Sequence, residues 1–200
     1  MIKKYFLALI ISLTFGWNLQ GQDATMWTVD KAHTSVNFGI NHFFNEVKGK
    51  FTEFDGSFHF DPDQLNQSGF SFIIQVKSVD TDNEKRDNHL QSADFFNAEQ
   101  FPEIKFVSTK VEMISENKYQ AMGNLTIKDV TKNIVIPFSV TGQMEHPMME
   151  GNLILGLRID TTLDRTDYGV GVGDWAATMV VGDEVRINIP MELNRKVTSK

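Results

Sequence analysis

The sequence predicts an all-β fold, an eight-stranded antiparallel β-barrel with a short helical segment over one end. Three observations predict it. The dominant hydrophobic period is two residues rather than 3.6, the signature of strands with one dry and one wet face. Eight such runs follow one another, most of them joined by short connections bearing Gly, Asn, Asp or Pro. The chain has no cysteine and sixteen phenylalanines against three tyrosines and three tryptophans, so packing alone builds a core whose aromatics mostly lack a polar handle.

Ahead of the strands, Lys3 and Lys4 precede an almost wholly apolar run from Tyr5 to Phe15, and the chain turns polar from Asn18 to Asp23. A short positive n-region followed by an apolar stretch too short to span a bilayer is the pattern of a secretory signal peptide. Residues 1–21 are therefore read as that signal, and 22–200 as one mature periplasmic domain. Cleavage after Gly21 removes two lysines and no acid, taking the net charge from −7 to −9. So acidic a chain repels phosphate backbones, which argues against a nucleic-acid partner.

Val36, Phe38, Ile40 and His42 share one face of the first strand, with Ser35, Asn37, Gly39 and Asn41 on the other. Between Gly49 and Phe60 the apolar positions change parity, odd at Gly49 and Phe51 but even at Phe54, Phe58 and Phe60. That switch predicts a β-bulge near Thr52 and Glu53, bending the second strand. Phe70, Phe72, Ile74 and Val76 mark the third. The polar stretch from Asp80 to Pro102 then breaks the rhythm. Asp82 or Asn83 is suited to cap a helical turn, and Leu90, Phe95, Phe96 and Phe101 supply apolar contacts, so the stretch reads as one or two turns packed over a barrel end.

Ile104 and Phe106 begin the fourth strand, Tyr119, Ala121, Leu125 and Ile127 the fifth, and Ile134, Ile136, Phe138 and Val140 the sixth. Leu153, Leu155, Leu157 and Ile159 form the seventh. From Asp164 to Gly182 the chain is glycine-rich and reads as a flexible rim loop, with Asp174 as the cap of an Ala-rich turn. Its glycines do not lead a strand into a helix at dinucleotide spacing, so they make no phosphate cradle. The eighth strand carries Val185, Ile187, Ile189, Met191 and Leu193.

Closing eight strands into a barrel removes the sheet edges, and in water the apolar faces then point inward. Short charged connections, no aromatic girdles and a basic polar tail argue against the inverted arrangement of a membrane barrel. The interior is either filled by Phe38, Phe58, Phe72, Phe106 and Phe138 packing on one another, or it holds one slender ligand.

Catalytic patterns are absent from the sequence. No G-x-S-x-G elbow occurs, and no serine sits beside a matching His and Asp. The histidines, His33, His42, His59, His89 and His146, show no H-E-x-x-H or close pairing, and parity puts His33 and His42 on opposite faces. Neither an enzyme nor a metal site is expected.

Five segments carry a resemblance. W-T-V-D-K-A-H-T-S-V-N-F at Trp27 to Phe38, R-D-N-H-L-Q-S-A-D-F-F at Arg86 to Phe96, F-P-E-I-K-F-V-S at Phe101 to Ser108, G-N-L-T-I-K-D-V-T-K at Gly123 to Lys132, and R-T-D-Y-G-V at Arg165 to Val170 resemble the YceI-like family of bacterial polyisoprenoid-binding proteins. Their order and spacing cover nearly all of Trp27 to Leu193. The resemblance implies an exported, lipocalin-like barrel holding a long isoprenoid, such as a quinone tail, or a similar amphiphilic lipid, with no covalent cofactor.

On that reading Phe38, Ile40, His42, Phe58, Phe72 and Ile74 form one part of the lipid-binding wall. Phe95, Phe96, Phe106, Leu125, Ile136, Phe138 and Leu157 form the rest. Arg86, His89 and Asp94 are the candidates to orient a headgroup. Each has a plainer alternative: Arg86 and Asp94 joined in a salt bridge that ties the helical segment down, and His42 as a hydrogen-bonded core histidine. Arg165 and Asp167 read as loop-ordering residues. The expected partner is the lipid itself, with transient membrane contact; a homodimer is left open. Rival readings are a lipid-modifying enzyme on the same barrel and a ligand-free structural or stress-response module.

Overall fold

A computed structural model describes residues 26–176 and 179–197. The signal-peptide reading of 1–21 falls outside the described residues. One antiparallel sheet contains β1 (Met26–Val29), β2 (Val36–His42), β3 (Asn45–Phe51), β4 (Phe54–His59), β5 (Gly69–Gln75) and β6 (Val79–Asp80). It continues, after α1 (Glu84–Gln91), with β7 (Glu103–Ser115), β8 (Lys118–Ile127), β9 (Val130–Glu145), β10 (Asn152–Asp164) and β11 (Val181–Lys196).

These segments make eight barrel strands because three of the eight are interrupted. β1 and β2 lie end to end along β11, with Val29 opposite Leu193 and Phe38 opposite Ile187. β3 and β4 form one bent strand, and β5 and β6 another, broken by a 3-10 turn at Val76–Ser78. Val76, which the two-residue period assigns to the third strand, thus begins the turn that interrupts it. The strands are neighbours in chain order, and β1 bridges β11 and β4 to close the ring. The result is an up-and-down antiparallel barrel.

The parity switch falls where expected, but its cause is a break between two strands rather than a β-bulge. The second strand breaks at Thr52 and Glu53, between Phe51 and Phe54, both of which are buried. The backbone there stays hydrogen-bonded, the Thr52 N–H donating to the Ser78 carbonyl at 3.1 Å and the Gln75 N–H to the Glu53 carbonyl at 2.9 Å. A register shift between Ser108 and Lys110 lets β7 bury Ile104 and Phe106 on one side of it and Val111 on the other.

One end of the barrel is solid. Phe60, Phe70, Tyr119 and Phe138 meet with ring centroids 5.2 to 6.1 Å apart, most of them edge to face. Trp27 closes over them, its Nε1–H donating to the Phe60 carbonyl at 2.9 Å. Leu155 and Leu193 complete this floor with essentially no exposure.

The opposite end carries α1 and the rim loop. Asn83 caps α1 by accepting the Arg86 N–H at 3.0 Å, whereas Asp82 adopts a positive φ of 57° with its N–H donating to the Asp80 carboxylate at 3.0 Å. Asp174 does not cap its turn. Gly171 and Gly173 both turn left-handed, so the 3-10 turn begins at Gly173 with Val172 at the cap position and no side-chain bond.

Candidate functional site

Between floor and rim the barrel encloses a cavity of about 570 Å³. Every predicted wall residue lines it, from Phe38, Ile40 and His42 on β2, through Phe58, Phe72, Ile74, Phe106, Leu125, Ile136 and Phe138, to Leu157 on β10, with Phe95 and Phe96 beneath the helical segment. The interior is therefore only partly filled by its phenylalanines. Inward-facing Gly49 belongs to this economy of space: a Cβ there would stand 2.4 Å from the Phe38 ring and 2.8 Å from the Thr81 methyl. Period-two reading missed the wall contributed by the rim loop, Tyr168, Val170 and Trp175, because that segment has no period.

Of the three headgroup candidates, Arg86 and His89 line the cavity and Asp94 does not. The expected Arg86–Asp94 salt bridge does not form. Arg86 donates from Nε to the Thr81 hydroxyl at 2.7 Å and from Nη2 to the Thr81 carbonyl at 2.6 Å. Asp94, just beyond the helix, folds back one turn to hold His89 Nε2 at 2.8 Å. The His89 imidazole is thereby clamped edge-on between Phe95 and Trp175, at 5.0 and 4.8 Å, and joins the helical segment to the rim loop.

His42 is no core histidine. It is exposed at the mouth, edge-on to Phe43 at 4.6 Å. Beyond it the β2–β3 turn presents Phe43, 56 % exposed, and Phe44, fully exposed. Two-residue hairpin turns favour Asn-Gly or Asp-Gly, yet here Phe43 takes a positive φ of 50°.

Arg165 orders the rim loop, as expected, and does so as a buried staple. Its Nε donates to the Gly182 carbonyl at 2.8 Å, and its Nη1 to those of Val170, at 2.8 Å, and Gly171. Nη2 reaches the Trp175 and Val181 carbonyls at 2.9 and 3.1 Å and the Asp183 carboxylate at 3.1 Å. The planar fork fits this many acceptors where an ammonium would not. Gly171 is required at φ +64°, since a Cβ would lie 2.7 Å from both Arg165 Nη1 and the Phe95 ring. Asp167 orders the loop by pairing with Lys132 at 2.5 Å.

Outside the cavity, Asp30, His33 and Glu192 bring ligand atoms within 4.8 Å of one another, a grouping that chain spacing hides because Glu192 lies on the last strand. Asp30 holds His33 Nδ1 at 2.9 Å, and that hydrogen bond, with the charges of Asp30 and Glu192, raises the imidazole pKa above its usual value. The cluster locks the β1–β2 connection to β11.

A YceI-like domain model matches residues 27–193, which is almost the whole barrel. The chain belongs to the YceI-like family. A UPF0312 protein of Vibrio cholerae is 33 % identical over 169 residues, covering 83 % of this chain and 86 % of its own. A Campylobacter jejuni YCEI protein of known crystal structure is 34 % identical with a TM-score of 0.69, covering 84 % of this chain and 97 % of its own. A polyisoprenoid binding domain from Saccharophagus degradans shares only 11 % identity but a TM-score of 0.63 over 88 % of this chain and 99 % of its own, a likeness of fold. In this YceI-like barrel, floor, wall and rim together enclose an apolar space.

Proposed function

We propose that the protein is an exported carrier that takes one long-chain isoprenoid, such as a quinone, or a similar amphiphilic lipid into its barrel and releases it chemically unchanged. The observation that carries this reading is the apolar cavity of about 570 Å³, closed below by packed rings and bordered above by a short helix and a stapled loop. Family membership and the fold shared with a polyisoprenoid binding domain support it. Each 100 Å² of tail removed from water contributes about 2.5 kcal/mol, against a net of about 1 kcal/mol for one hydrogen bond. Affinity therefore comes from the tail, and polar groups at the mouth adjust selection. Transient membrane contact fits the exposed Phe43 and Phe44 beside the cavity mouth, since aromatic side chains settle at the membrane interface.

Transfer of a fluorescent isoprenoid quinone from donor vesicles tests the proposal. The wild-type protein should remove the quinone and deliver it intact to acceptor vesicles, and Phe44→Ser should slow transfer several-fold with unchanged equilibrium uptake. No uptake, or recovery of a chemically altered quinone, would contradict the carrier reading.

A further inference from the structure

We propose that Asp30, His33 and Glu192 form a binding site for one zinc ion on the outside of the barrel, where the ion pins the first strands of the chain to the last. The site is separate from the cavity and does not depend on the carrier reading.

The three side chains meet because β1 and β2 lie end to end along β11. Asp30 and His33 stand in the connection between β1 and β2, while Glu192 alternates with buried Met191 and Leu193 and so faces outward. Backbone bonds hold Glu192 to both sides of that connection. The Asp30 N–H donates to the Glu192 carbonyl at 2.9 Å, and the Glu192 N–H donates to the Thr34 hydroxyl at 3.1 Å. The Ser35 N–H adds a bond to the Pro190 carbonyl at 3.1 Å. Two elements far apart in the chain thus present their donors on one fixed frame, as a metal site requires.

The distances suit zinc. Ligand atoms about 2.0 to 2.2 Å from a tetrahedral zinc stand about 3.3 Å from one another. His33 Nδ1 lies 2.9 Å from Asp30 Oδ2 and 3.8 Å from Glu192 Oε1, on either side of that value, and the three ligand atoms all fall within 4.8 Å of one another. The Glu192 side chain is one-third exposed and can rotate to close the longer gap. Asp30 is oriented from behind, its Oδ1 accepting the Ala32 N–H at 2.9 Å and its Oδ2 the Asn194 amide at 3.3 Å. Such outer hydrogen bonds hold a ligating carboxylate in place. Because His33 is exposed, a water can take the fourth position.

Charge and donor chemistry decide the ion. Lys31 pairs with Asp55 at 2.9 Å rather than with neighbouring Asp30, so the two carboxylates of the cluster suit a divalent cation. An imidazole nitrogen among the donors favours zinc over magnesium and calcium, which take oxygen ligands, and a donor set without sulfur disfavours Cu(I).

Isothermal titration of the chelator-treated protein with zinc tests the site. Wild type should bind one equivalent that excess magnesium does not displace, and zinc should raise its melting temperature because the ion binds only the closed seam. Glu192→Gln keeps the shape and every backbone bond yet should weaken zinc binding at least about tenfold, as should His33→Ala. His146→Ala, on the β9–β10 turn outside the cluster, should bind as wild type does. In wild type itself, the His33 ring resonances should shift until one equivalent of zinc is added, a readout that needs no variant to fold. No binding, equal binding in wild type, Glu192→Gln and His33→Ala, displacement by magnesium, or His33 resonances unmoved by the bound equivalent would overturn the site and leave the carrier reading untouched.

Discussion

Phe60 and Phe72 both face into the barrel, but they have different work. Phe60 is 1 % exposed and touches the rings of Phe70, Tyr119 and Phe138, whereas Phe72 is half-buried, rests on Phe54 and Phe58, and borders the cavity. Truncating a ring in a filled core leaves a new hole, while truncating one beside existing space mainly enlarges it. Phe60→Ala should therefore lower stability by about 3 to 5 kcal/mol, and Phe72→Ala by only about 1 to 2 kcal/mol in the ligand-free protein. Denaturant unfolding measures both; equal losses would mean that the interior beside Phe72 is packed solid. The even parity of both residues was legible in the sequence and assigns each the inner face. Which of them packs and which borders a void was not, because that depends on rings from β5, β8 and β9 that only closure brings together.

At the scale of elements, the rim loop shows where pattern reading stops. Its glycines and lost alternation mark a break in the sheet, and the strand break at Thr52 and Glu53 was equally visible as a change of parity. Arg165 was legible as a loop-ordering residue, but not the extent of its staple, whose acceptors reach as far along the chain as Asp183 and so leave no local signature. β1 escaped notice for a related reason, since four residues, of which Trp27 and Val29 are buried, are too few to establish a period. Arg165→Lys keeps the charge but loses the fork, leaving carbonyls of the loop unsatisfied. It should cost about 2 to 4 kcal/mol and speed hydrogen exchange at the Val170 and Tyr168 amides, which both donate to the Arg165 carbonyl. Exchange as slow as in wild type would show that packing by Phe95 and Trp175 alone holds the loop.

For the whole molecule, closure, floor and cavity form one design. Eight strands are just enough to leave an interior that side chains can fill or a single ligand can share. Here an aromatic plug fills one end and leaves the other apolar and hollow. The fold and the inner face of its strands were legible from alternation; the lid contacts were not, since they join residues without periodicity. Native mass spectrometry of the protein purified from its own host, followed by solvent extraction, tests the central claim most directly. The account predicts a mass excess equal to one lipid and an intact isoprenoid in the extract. A barrel of bare polypeptide mass, yielding no lipid on extraction and taking up none when offered an isoprenoid quinone, would contradict it.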